Sequence, residues 1–100
     1  MRIKTIDEAQ DGLASLMKQA MGLITQIVKE KPDTHNATFF GKLIRHKLLE
    51  QFLATMPEAA RKIGTETLMK QSGGDRQKIV AVLLNSMMES WRKSQETKRS

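Results

Sequence analysis

The chain has one hundred residues, 39 % hydrophobic and 28 % charged, with no cysteine and a formal net charge of +6. That length matches one small domain whose single core takes up nearly every periodic apolar residue, so a deep enclosed pocket is not expected. Absence of cysteine excludes disulfides, thiolate metal sites and thiol nucleophiles, and fits a reducing, cytoplasmic setting.

Met1-Arg2-Ile3-Lys4 is basic, but Thr5-Ile6-Asp7-Glu8 stands next, where a secretion signal needs an apolar stretch. Ile6, Ala9, Leu13, Leu16, Ala20, Leu23 and Ile27 recur at steps of three and four, which predicts a helix over about residues 6–30. Thr5 and Glu8 form a capping-box pattern at its start. A second apolar line, Met17, Met21, Ile24 and Val28, widens the face toward the C-terminal half, and Pro32 ends the helix.

Pro32-Asp33-Thr34-His35-Asn36 is a turn-forming loop, with Asn36 or Thr38 placed to cap the second helix. Phe39, Phe40, Leu43, Ile44, Leu48, Leu49, Phe52 and Leu53 keep helical spacing, so one continuous helix is expected over about residues 38–55. Thr55-Met56-Pro57-Glu58 is a second Thr-x-x-Glu cap with proline in the first turn, which marks a fresh helix over about residues 57–72. Gly64 is placed to split it.

Gly73-Gly74 closes that segment, and Asp75 is suited to cap a last helix over about residues 75–93. This helix carries Ile79, Val80, Val82, Leu83, Leu84, Met87, Met88 and Trp91, and a frayed basic tail is expected over about residues 94–100. The fold class is all-α: a small bundle of four helices, five if Gly64 divides the third, in a single domain over residues 1–100. The longest apolar run, Ile79 to Leu84, is too short to span a bilayer, so no membrane partner is expected.

Charge is unevenly distributed. Residues 1–30 hold four basic and four acidic groups, whereas residues 31–56 sum to +2, 57–74 to +1 and 75–100 to +3. The excess lies in Lys42, Arg45 and Lys47, in Arg61 and Lys62, and in Arg92 and Lys93 with the tail. Such clusters attract phosphate backbones through counterion release, without base-specific contacts. The same residues also serve as solvated faces of a bundle, and the sequence does not show whether the clusters share a side.

Other chemistry is thinly represented. Glu58 to Gly64 resembles the first helix and turn glycine of a helix-turn-helix, but Lys70 and Gly73 stand where its second helix needs apolar residues. His46 and Glu50, four apart, form a weak metal pair with Asp33 and His35 nearby, and a solvent-facing pair is the simpler expectation. No nucleophile elbow, phosphate-binding glycine loop or metalloprotease motif is present, so no enzyme, cofactor or small-molecule substrate is expected. All four aromatic residues fit the core, which argues against single-strand stacking, although Trp91 beside Arg92 and Lys93 also suits a partner contact.

Internal methionines are abundant, and Met17, Met21, Met87 and Met88 extend stripes already wide enough for one neighbour. With Trp91 they are the candidate protein-partner surface, for a homo-oligomer or another chain. The expected function is a small basic accessory or regulatory protein contacting nucleic acid through phosphates, as a homo-oligomer or a subunit of a larger nucleoprotein complex. Small helical subunits of nucleic-acid machines, CRISPR interference complexes among them, are similar in size and charge, with no motif shared. The alternative is a protein-protein interaction module, an inhibitor, adaptor or chaperone, acting through the methionine-bearing faces.

Overall fold

The computed structural model of the chain describes residues 12–99. Among these, six helical segments succeed one another: α1 (Leu13–Glu30), α2 (His35–Arg45), α3 (Leu49–Ala54), α4 (Met56–Ile63), α5 (Thr65–Ser72) and α6 (Arg76–Arg99). The chain is thus an all-α bundle, with a Cα radius of gyration of 13.5 Å against about 13 Å for a compact chain of this length. The Thr5–Glu8 cap and the first turn expected at Ile6 and Ala9 lie outside the described residues.

The two apolar lines of α1 serve two neighbours. Leu16, Ala20 and Ile24 are buried, flanked by partly buried Leu13, Met17, Leu23, Ile27 and Val28, and the helix packs on both α2 and α6. A single seam would need only one line. Arg76 at the start of α6 donates from Nη1 to Ser15 Oγ at 2.9 Å, tying α6 to α1.

Thr34, rather than Asn36 or Thr38, caps α2. Its backbone is extended and its Oγ1 accepts from the Ala37 N–H at 3.1 Å, so the helix begins at His35. Asn36 and Thr38 lie inside the first turns, because the hydroxyl that reaches the third N–H onward is the one that decides a cap.

The expected continuous helix over 38–55 is two helices. After Arg45 the Lys47 N–H donates to the Ile44 carbonyl at 3.2 Å and the Leu48 N–H to the Leu43 carbonyl at 2.8 Å. These two bonds are the Schellman closure, with Lys47 in the left-handed position at φ 57°. Glycine usually marks that position, and lysine hides it from a sequence pattern. The break re-aims the chain so that Leu49, Phe52 and Leu53 of α3 all enter the core.

Gly64 does divide the next segment: at φ 89° and ψ 146° it adopts a conformation that is almost closed to other residues. Thr55 forms no side-chain cap; its Oγ1 donates back to the Phe52 carbonyl at 2.7 Å, so the expected capping box with Glu58 is not made. Gly73 ends α5 in the left-handed region, and Asp75 Oδ1 accepts from the Gln77 N–H at 2.9 Å, opening α6 as expected. α6 runs to Arg99, through the basic tail; Arg92, Lys93, Gln95, Glu96, Lys98 and Arg99 are all strong helix formers and no glycine or proline intervenes.

At the centre, α6 packs on α1, α4 and α5 and buries Ile79, Val80, Leu83, Leu84, Met87 and Met88. Met87 and Met88 are 3 % and 4 % exposed, so they are core residues and not a partner surface as expected. Both sit on the face that α6 turns into the bundle, where flexible thioethers fill gaps between neighbours. No helix among the described residues is long and apolar enough to cross a membrane.

Candidate nucleic-acid interface

Helical spacing puts Phe39, Lys42 and Leu43 on one side of α2, and Trp91, Arg92 and Gln95 on one side of α6. In the fold these two sides face each other across an open groove of about 410 Å³. Phe39, Leu43 and Trp91 supply its apolar wall, and Lys42 from α2 and Arg92 from α6 both line it. His35 and Thr38 line one end from the start of α2, and Gln95 and Glu96 line the groove from α6.

The wall is held by an aromatic cluster. Phe40 and Phe52 are fully buried, and Phe39 meets them with ring centroids at 5.4 and 5.6 Å and interplanar angles of 71° and 69°. Trp91 lies 5.9 Å from Phe52 at 84°. Such near-perpendicular pairs place a positive ring edge on a negative ring face, which orients the rings as well as burying them. Of the four aromatics expected in the core, Phe40 and Phe52 are there, while Phe39 and Trp91 are only partly buried and turn toward the groove.

Arg92 lies over the Phe39 ring, its guanidinium carbon 5.1 Å from the centroid. The ring face holds the cation in place without neutralising it. Its Nη2 is buried with no hydrogen-bond partner, so one charged donor of the guanidinium is unsatisfied.

The basic clusters therefore join only in part. Lys42 and Arg92, 50 positions apart in sequence (92 − 42), share the groove. Arg45 and Lys47 are exposed at the end of α2 and in the turn after it, and Lys93 is exposed next to Arg92. Arg61 and Lys62 are exposed in the last turn of α4 and do not line the groove. Within the expected partner surface, Met21 is exposed at 41 %, Met17 and Trp91 are partly buried, and Met87 and Met88 are buried.

Two weaker sequence signals resolve differently. The break after Arg45 leaves His46 at the end of α2 and Glu50 in α3, so they no longer share one helix, and no cluster of three metal-ligating side chains exists among the described residues. α4, Gly64 and α5 do form two short helices around a glycine, but α5 exposes Glu66 and Lys70 together and carries no net positive face. The groove itself was hidden from sequence reasoning because Phe39, Leu43 and Trp91 have core spacing. The available signal was a cation within four residues of an aromatic on each of two helices. Comparison with protein-family models, curated proteins and solved structures finds no match to this chain.

Proposed function

We propose that this chain is a small basic binding module that contacts nucleic acid through phosphate groups, as an accessory or regulatory subunit in a reducing compartment. The observation that supports it is that Lys42 and Arg92, from two helices far apart in sequence, line one open groove. Neither cation has a carboxylate partner among the described residues; Arg92 rests instead on the Phe39 ring, which holds the cation without neutralising it. Arg45 and Lys47, exposed at the end of α2 and in the turn after it, attract a phosphate backbone at longer range. Burial of Met87 and Met88 removes two of the four methionines on which a purely apolar partner surface would depend.

The decisive experiment is a salt titration of binding to mixed-sequence single- and double-stranded DNA and RNA, with the mass of the protein measured on the same sample. Affinity that falls steeply with salt supports phosphate contact. Absence of binding even at low salt refutes it.

A further inference from the structure

We infer that the α2–α6 groove takes an unpaired base of a single strand, so that the chain selects single-stranded over double-stranded nucleic acid. This deepens the phosphate-binding function proposed above and rests on it. A surface that only neutralised phosphates would need cations on a polar face. Here Lys42 and Arg92 instead flank a wall made by Phe39, Leu43 and Trp91. The occupant this suits carries negative charge and a flat apolar body together, which a nucleotide does.

Geometry carries the point further. Phe52 meets Trp91 at 84°, and a near-perpendicular contact covers at most one face of the indole. The groove that Trp91 lines measures about 410 Å³, within the ~300–1,000 Å³ of sites that hold small organic ligands. A paired base is stacked on both sides and cannot enter such a site, whereas an unpaired base is free to stack on an aromatic side chain. Lys42 and Arg92, which line the same groove, then contact the phosphates that flank that base.

The test uses the tryptophan itself. The chain has one tryptophan and no tyrosine, so its emission reports Trp91 alone. The intact chain is titrated at low salt with a single-stranded oligonucleotide, its duplex, and an abasic strand of equal length. The expected result is quenching by the base-bearing strand only, with that strand bound about 5- to 150-fold more tightly than the abasic one, the range expected for one stacked base. Phe39→Leu, with helicity checked by circular dichroism, is expected to lower affinity for the base-bearing strand more than for the abasic strand, which loses only the support the ring gives Arg92; an equal loss for both strands counts against stacking in the groove. Equal affinity for duplex and single strand, or unchanged emission at saturation, overturns the base-in-groove inference while phosphate binding stands. Failure of all three nucleic acids to bind overturns both.

Discussion

Replacing Lys42 and Arg92 together by glutamine removes the two cations that line the groove from α2 and α6 while keeping polar, uncharged side chains. Each phosphate contact on a single strand contributes about 0.7 to the slope of log affinity against log salt, so losing two shallows that slope by about 1.4. Between about 50 and about 200 mM salt, the native chain is then expected to lose about sevenfold more affinity than the double variant. Each single variant accounts for about 2.6-fold of that difference. Folding does not confound the comparison. Arg92→Gln forfeits the stacking on Phe39, worth about 0.5–1 kcal/mol at a partly exposed site, against a typical domain stability of about 5–15 kcal/mol. Fluorescence anisotropy of a labelled strand over the salt series measures the slope, and thermal melts monitor the fold. Identical slopes for native and double-variant protein refute the assignment of these two residues as phosphate contacts.

Four further outcomes test the groove and its scaffold. Glu96→Gln removes the carboxylate that lines the groove and is expected to raise single-strand affinity about two- to fivefold at low salt, by ~0.5–1 kcal/mol of relieved repulsion; lowered affinity in anisotropy would show that Glu96 contributes to binding. Lys47→Gly relieves the left-handed strain at φ 57° and is expected to stabilise the fold by about 0.5 kcal/mol in urea unfolding, the gain in the native state exceeding the added freedom of the unfolded chain. Gly22→Ala, at an exposed helical site where an added Cβ meets nothing within 4 Å, is expected to add about 0.5–1 kcal/mol, whereas Gly64→Ala, at φ 89°, should cost ~1–3 kcal/mol in the same assay. Phe52→Ala deletes the ring that touches Phe39, Phe40 and Trp91 and is expected to cost about 3–5 kcal/mol and shift Trp91 emission toward the red; a loss below about 1 kcal/mol would mean that the aromatic cluster does not hold the groove wall.

Much of this protein is determined locally. Apolar residues at steps of three and four set the helices, Gly64 and Gly73 set two of the breaks through left-handed backbone, and Asp75 sets the start of α6. The break at Lys47 is equally local in its hydrogen bonds, but lysine carries no sequence mark of a left-handed residue, and only the demand that Phe40, Leu43, Phe52 and Leu53 all be buried selects it. Likewise, continuation of α6 to Arg99 agrees with the local helix propensity of the residues after Trp91.

Charge shows the same division. The net charge of +6, its absence from the first helix and its three clusters are all written in the chain. Which cations meet is decided by where α2 and α6 pass each other. That crossing pairs Lys42 with Arg92 and keeps Arg61 and Lys62 out of the groove. Periodicity also cannot tell an aromatic residue inside a core from one at its edge, because both occupy the same helical stripe. Burial of Phe40 and partial exposure of Phe39, adjacent residues of one helix, depend on which neighbour covers each side. The sequence alone thus determined a basic helical bundle, and tertiary packing decided that two of its cations and two of its aromatic rings form one groove.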